Sequence, residues 1–480
     1  MNYESVIGLE VHAELSTNTK IYCSCKNEFG LDVNTSCCPV CTGMPGTLPV
    51  LNKKVVEYAI KAGLALNCDI TREGKQDRKN YFYPDLPKAY QISQFDLPLC
   101  TNGYVDIEVG GEKKRIGITR IHIEEDAGKL IHSVMGDESY VDFNRCGVPL
   151  IEIVSEPDLR SAEEAKVYLE TLKSILQYIE VSDCKMEEGS LRCDINVSLR
   201  PVGSTEYGTR SEMKNVSTFS GTYRAIEYEI GRQTKILENG GVVEQETHRW
   251  DDAKGENVLL RSKEEAHDYR YFPEPDLMPI VVSDEWIEEI KATIPEMPDV
   301  KKKRYITELG LGDYEAGIIV SNKSMARFFD NCISLGGSAK SVANWLQGDI
   351  MKYTKDNDIT FDDIPFTPEN LNELAFITEK GEISITAAKK VLAKMFETQE
   401  KPSKIVDDLG LKQISDEGAI EQMVNSVLDK NPQSFEDYKN GKTRALGFLV
   451  GMVMKESKGK GNPQIINKMI LEKLEAYKNS

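Results

Sequence analysis

No apolar run in this 480-residue chain is long enough to cross a membrane. The longest, near Ala445 to Met454, falls well short of the ~20 residues a spanning helix needs. The opening MNYESVIGLE has no basic region followed by an apolar core, so it does not read as a secretory signal. A cytoplasmic location is the expectation. Eleven cysteines, an odd number without such a signal, argue against a disulfide framework. Positive charge is also short. Lysines and arginines number 59 against 78 aspartates and glutamates, a formal net charge of −19. Such a chain is a poor general binder of phosphate backbones, so any RNA contact needs a local basic patch or a partner. Nucleotide and hydrolase signatures are missing too. Gly336-Gly337-Ser338-Ala339-Lys340-Ser341 lacks the glycine before lysine of a P-loop, and Glu436 replaces the first glycine ahead of Gly441-Lys442-Thr443. There is no G-x-S-x-G elbow and no Ser-Lys amidase pattern, hence no recognisable nucleophile for amide hydrolysis. No internal repeat is evident.

What is present reads as a soluble globular chain of two to four domains. Val6 to Leu15 alternates, with Ile7, Leu9, Val11, Ala13 and Leu15 facing one way and Gly8, Glu10, His12 and Glu14 the other. That period marks a strand with one buried face. Further strands are predicted over Tyr104 to Val109, Lys114 to Glu125, Tyr140 to Asn144, Leu150 to Val154 and Arg192 to Arg200. Helices are predicted over Lys53 to Leu66, Ser161 to Ile179 and Thr218 to Glu238. Ser161 with Glu164 three residues on makes a capping box. Mixed order with antiparallel strands predicts an α+β fold. Pro295, Pro298 and the run Lys301-Lys302-Lys303-Arg304 mark a boundary near 292–300. Beyond it, helical spacing dominates, with helices at Ser338 to Tyr353, Thr367 to Glu379 and Thr386 to Phe396. A last helical domain begins at Ser415-Asp416-Glu417 and includes a helix after Asn462-Pro463. Between those two, Lys439 to Lys460 reads as a basic loop, either a phosphate-backbone contact or a solvated segment.

Three groups of residues carry candidate chemistry. Arg78 to Gln94, RKNYFYPDLPKAYQISQ, has neither helical nor strand periodicity and reads as a loop. Pro84 and Pro87 stiffen it, and Lys79 and Lys88 stand among Tyr81, Phe82, Tyr83 and Tyr90. It suits an anion-binding wall, or a plug at a core edge. Cys23-Ser24-Cys25, twelve residues, then Cys38-Pro39-Val40-Cys41 gives C-x-C-x12-C-x2-C, a spacing that can close a tetrahedron around structural zinc. Cys37 competes with Cys38 for the third position, and Cys38 fits the C-P-x-C knuckle. Reduced thiols without a metal are the alternative. Finally, Glu10 and His12 share a strand face, about 6.5–7 Å apart. Glu124-Glu125-Asp126, Glu152, Asp194 and Glu212 lie on or beside other strands. If they converge on one sheet face, an oxygen-rich site with a single imidazole favours magnesium or manganese.

Several longer blocks carry a resemblance: GLEVH (Gly8 to His12), the Arg78 to Gln94 segment, VPLIEIVSEPD (Val148 to Asp158), EGSLRCDINVSLR (Glu188 to Arg200) and DYRYFPEPDL (Asp268 to Leu277). With these, the chain resembles the GatB family of aspartyl/glutamyl-tRNA amidotransferase subunits over most of its first 280 residues. The resemblance implies a cradle-like catalytic domain at 1–294 with a cysteine lobe at 23–41, a helical domain at 295–405 and a tRNA-binding helical tail at 406–480. It implies an ATP- and magnesium-dependent ligase that phosphorylates the side-chain carboxylate of Glu or Asp misacylated onto tRNA-Gln or tRNA-Asn. Ammonia then attacks the acyl phosphate. The glutamine-hydrolysing amidase would be a separate subunit, joined by a small wrapping subunit in a heterotrimer. On this reading Glu10, His12, Glu125 and Glu152 ligate magnesium, with Glu124 in reserve for Glu125. Asp194 and Glu212 serve as further ligands or acid/base groups. Lys79 and Lys88 contact ATP phosphates or gate ammonia, and Tyr81 and Tyr83 line the pocket. Lys442, Arg444, Lys455, Lys458 and Lys460 contact tRNA. The competing reading is a noncatalytic tRNA-binding scaffold, for which the carboxylates are only a solvated face.

Overall fold

A computed structural model describes residues 2–133, 136–262, 268–413, 416–440, 442, 444–457 and 460–478. The chain forms two compact units, Met1–Met297 and Pro298–Ser480.

The first unit is built on one nine-stranded sheet. Its strands are β1 (Tyr3–Glu14), β2 (Asp69–Ile70), β3 (Cys100–Val109), β4 (Glu112–Glu125), β5 (Pro149–Ser155), β6 (Leu191–Pro201), β7 (Ser211–Val216), β8 (Glu246–Asp251) and β9 (Glu256–Ser262). Their spatial order is β9-β8-β7-β6-β1-β5-β4-β3-β2. Every neighbouring pair is antiparallel except β7 and β8. The fold class is α+β. On β1, Ile7, Leu9, Val11 and Ala13 are buried in one core with Ile121 and Ile123 of β4 and Ile151 and Ile153 of β5. Helices α1 (Lys53–Ala65), α2 (Ala162–Tyr178) and α3 (Phe219–Glu238) add Val56, Ile60, Tyr168, Leu172 and Ile226 to that core. The start of α2 is fixed as its sequence demands. Ser161 Oγ accepts the Glu164 amide (3.1 Å), and the Glu164 carboxylate accepts the amide of Arg160 (2.7 Å). Because one sheet face is apolar, strand register is constrained, and the polar residues of each strand are forced together on the other face.

Two expectations change here. Arg78 to Gln94 is a loop only between residues 81 and 89. Its ends are short strands, Asp77–Asn80 and Tyr90–Ser93, paired antiparallel, with Phe272–Pro273 on the other side of the first. Strands of four residues are too short for alternation to show. The sheet also extends through β7, β8 and β9, three strands beyond those that the sequence pattern predicts.

The second unit is helical throughout its described residues. The predicted helix Ser338 to Tyr353 is broken into Ala339–Trp345, a π turn Leu346–Ile350 and Met351–Asp356. Asp416 caps Glu417–Lys430 by accepting the Ala419 amide at 2.7 Å, whereas Ser415 lies outside the described residues. Lys439 to Lys460 is not the loop expected. Most of it is a helix, Arg444–Glu456, because Ala445, Leu449 and Val453 recur at four-residue spacing and are buried. Leu449 and Val453 join Ile420, Val424, Ile466, Ile470 and Leu474 in a small core. Among the described residues no helix is long and apolar enough to cross a membrane.

Candidate functional site

Across the sheet's polar face, register brings the charged residues into rows. His12 of β1 lies opposite Glu152 of β5 and Arg192 of β6, and Glu152 lies opposite His122 of β4. Glu10 lies opposite Asp194, and Asn196 opposite Glu212 of β7. His12 Nε2 is 3.3 Å from Glu152, 3.5 Å from Glu124 and 3.9 Å from Glu10. His122 Nε2 is 3.6 Å from Glu152 and 3.8 Å from Glu124. Ligand atoms of Glu10, His12 and Glu152, and those of His122, Glu124 and Glu152, each gather within 4.8 Å. Glu152 is common to both groups.

The electrostatics follow from burial. Desolvation works to lower the pKa of His12, but Glu152 and Glu124 outweigh it and raise the ring to about 9. Burial raises Glu10, with Glu152 adding to the effect. Glu152 and Glu124 are buried, which opposes ionisation, but the two imidazoles hold both below the usual carboxylate range. Three carboxylates against one imidazolium leave an excess of negative charge that a divalent cation offsets. The oxygen donors of Glu10, Glu124 and Glu152 suit magnesium, and the imidazoles admit manganese as well. The donor set therefore fits the metal that the resemblance implies.

Not every expected residue converges. Glu125 follows Glu124 on β4 and so points to the opposite face, where Lys88 and the Ile92 amide (2.9 Å) donate to its carboxylate. Glu124, the reserve, occupies the cluster instead. Lys88 goes with Glu125, packed against Gly43 of the cysteine lobe beside a cavity of about 110 Å³ lined by Tyr22, Cys41, Lys88, Glu125 and Gly147. Lys79 stays with the acidic face. Its ammonium lies 4.9 Å from the Tyr269 ring and 5.8 Å from the Tyr81 ring. Burial works against its charge, yet Glu124 and the neighbouring tyrosines hold its pKa above the ordinary value. Tyr83 is 54% exposed on the same loop. Asp194 and Glu212 meet at Lys214, which is bonded to Asp194 and lies 3.3 Å from Glu212. Sequence reasoning misses His122 and Arg192. The signal for His122 is the alternation Arg120, His122, Glu124 on β4, the same pattern that exposes Glu10 and His12.

The four thiols of Cys23, Cys25, Cys38 and Cys41 come together within 4.8 Å. Cys38 and Cys41 sulfurs are 3.9 Å apart, close to the ~3.8 Å edge of a tetrahedron with 2.3 Å zinc–sulfur bonds. Cys37 turns away, its thiol 3.3 Å from the Asn34 carbonyl. Cys41 is lowered to about 5 by hydrogen bonding from Cys23, assisted by the Cys38 amide and the fully buried Lys20 ammonium. The cluster can hold a structural metal.

The family profile described as GatB/GatE catalytic domain matches residues 5–288, and the one described as GatB domain matches residues 327–474. The chain belongs to the GatB family. It is 62% identical to the GatB subunit of the aspartyl/glutamyl-tRNA(Asn/Gln) amidotransferase of Caldicellulosiruptor bescii, over 99% of this chain and 100% of that protein. The corresponding subunits from Caldicellulosiruptor saccharolyticus and Caldanaerobacter subterraneus are 61% and 60% identical, each over 99% of this chain and 100% of the relative. Likeness to GatB proteins thus runs through both units. The acidic face and the cysteine cluster lie inside the matched catalytic domain. Of the basic residues expected to meet tRNA, Arg444, Lys455 and Lys460 are exposed, and Lys442 pairs with Asp437 at 3.0 Å. Lys458 lies outside the described residues.

Proposed function

We propose that the polar sheet face of the first unit is the phosphoryl-transfer site of a glutamine- and ATP-dependent tRNA amidotransferase. The substrates are Glu-tRNA(Gln), Asp-tRNA(Asn) or both. The observation that carries this reading is the convergence of Glu10, His12, His122, Glu124 and Glu152 on one face, with the Lys79 ammonium at its edge.

Phosphorylation turns the side-chain carboxylate into an acyl phosphate. Ammonia adds to its carbonyl carbon, the carbon–oxygen bond to phosphate breaks, and the amide forms. A magnesium ion held by Glu10, His12, Glu152 and Glu124 would neutralise phosphate oxygens during transfer. Lys79 supplies a fixed positive charge for the transferring group, positioned by the Tyr269 and Tyr81 rings. Asp194 and Glu212, both facing Lys214, are placed to orient the substrate or to move its protons. The aromatic residues beside Lys79 exclude water from a hydrolysable intermediate. Lys88 and Glu125, beside the cavity under the cysteine lobe, suit a gate for ammonia rather than a phosphate contact.

With no amidase signature in this chain, ammonia comes from a glutamine-hydrolysing partner, joined by a small wrapping subunit in a cytoplasmic heterotrimer. The basic residues of the last helices hold the tRNA, and zinc stabilises the cysteine lobe. The test is ATP consumption by the assembled complex with misacylated tRNA. Glu152→Gln and Glu10→Gln should abolish phosphorylation while tRNA binding persists. Unchanged phosphorylation in both variants would return the chain to a noncatalytic scaffold.

A further inference from the structure

Phe95 is 51% exposed yet stacked face to face on Tyr271, ring centres 4.2 Å apart and planes 9° off parallel. Tyr271 meets Tyr269 edge-on at 6.0 Å, and Tyr269 meets Tyr81 edge-on at 6.0 Å. These rings come from three separate stretches of chain, all tied to the strand Asp77–Asn80. The Asp77 carboxylate accepts the Phe95 amide at 3.0 Å. Arg78 clamps Glu274 through two bonds of 2.6 and 2.8 Å. The Asn80 amide and side chain hold the carbonyls of Tyr269 (2.9 Å) and Arg270 (2.8 Å). The stack is therefore rigid where it is exposed.

Its position matters as much as its rigidity. The Arg120 guanidinium donates to the Phe95 carbonyl at 3.3 Å and reaches Glu152 at 4.0 Å. One guanidinium thus separates the stack from the centre of the acidic face. Tyr271 lies in the field of Glu124 and Glu152. A ring that only sealed a core edge would be covered, whereas Phe95 leaves much of its surface open at the rim of the site. An exposed, preorganised aromatic face beside a phosphoryl-transfer site suits a nucleobase, whose π surface extends the stack at little ordering cost.

We propose that Phe95 and Tyr271 form a stacking platform for an adenine base, a proposal that rests on the acidic face being the phosphoryl-transfer site. Two substrates of that reaction present adenine: the nucleotide, and the 3′-terminal adenosine of the charged tRNA. The platform binds one of them and fixes its reacting end over the carboxylates.

The test uses the assembled complex carrying Phe95→Leu, Tyr271→Leu or Phe95→Trp. Loss of a stacked base raises KM for its substrate about 5- to 100-fold, with kcat at saturation reduced far less. Phe95→Trp keeps a π face and should retain affinity. A rise confined to ATP, and absent with a base-free ribose triphosphate as competitor, assigns the nucleotide. A rise confined to tRNA, and absent in binding of a tRNA trimmed of its terminal adenosine, assigns the acceptor end. If neither KM moves in both leucine variants while Glu152→Gln stops ATP consumption, the platform is wrong and the site reading stands. If Glu152→Gln is itself active, the site reading has failed first.

Discussion

His12 and Glu152 face each other across β1 and β5, with the imidazole Nε2 3.3 Å from the carboxylate. Glu152 faces His122 on its other side, so one carboxylate sits between two rings in a row that crosses three strands. Register alone makes this row. Each strand needed only to place its charged residue on the face away from the core.

That row predicts a proton count. His12 titrates near 9, so at neutral pH it is protonated, and only the neutral ring can ligate a metal. Metal binding must therefore expel close to one proton. Affinity for magnesium or manganese should rise with pH up to about 9 and then level off. Calorimetry in buffers of different ionisation enthalpy at about pH 7.5 reads the proton directly. Metal binding whose heat is independent of buffer would show that His12 is not displaced from its proton.

The Lys88–Glu125 pair gives a second prediction. Their side chains are 12% and 4% exposed, and Glu125 also accepts the Ile92 amide. Lys88→Met leaves a buried carboxylate without its cation and should cost about 3 kcal/mol. Adding Glu125→Gln removes the stranded charge and should recover much of that loss. Urea unfolding of the single and double variants measures the coupling. Additive effects would mean that the pair does not interact.

How much of this was legible beforehand follows from period and from distance. β1 could be read because its ten alternating residues sort cleanly into Ile, Leu, Val and Ala against Glu and His. The choice of Glu125 over Glu124 failed because both adjoin β4's polar alternation. Only continuing the count from Arg120 and His122 decides which of the two shares their face. The strands at Asp77–Asn80 and Tyr90–Ser93 are four residues each, too short to display a period. Phe95 and Tyr271 are 176 positions apart, and nothing local announces that they stack. The basic stretch at Lys439 to Lys460 misled through composition, since its lysines and glycines hid Ala445, Leu449 and Val453 on one helical face.

Metal analysis tests the cysteine cluster. Cys41→Ser removes a thiol from the four that converge and should abolish zinc binding, lowering Tm by several degrees. Cys37→Ser should do neither, because that thiol faces the Asn34 carbonyl. Zinc retained in Cys41→Ser but lost in Cys37→Ser would reverse the ligand assignment.

Glu14 sets a pH dependence of stability. Burial, reinforced by Asp126, raises its folded-state pKa to about 7 from an ordinary 4.5. The folded chain thus holds this proton better than the unfolded one. Its contribution to stability is lost as pH rises from about 4.5 to 7, and the penalty stays constant above that. Glu14→Gln should gain about 2 kcal/mol at about pH 8 and almost nothing at about pH 4.5. Equal gains at both pH values would show that Glu14 is not strained by ionisation.

The last helices carry the tRNA prediction. Arg444, Lys455 and Lys460 are exposed, and Lys442 already has a carboxylate partner in Asp437. If the first three meet phosphates, each contact releases about one counterion, so replacing one should lower the slope of log K against log salt by ~1. Lys455→Glu and Lys460→Glu should weaken tRNA binding and flatten its salt dependence, while turnover at saturating tRNA is kept. Lys442→Gln should do less, since its charge is partly neutralised by Asp437. The measurement is tRNA affinity of the complex across a salt series. Slopes identical to wild type in both glutamate variants would place the RNA elsewhere. The distinction matters in a chain of net charge −19, where a diffuse field repels phosphate and only localised cations can bind it.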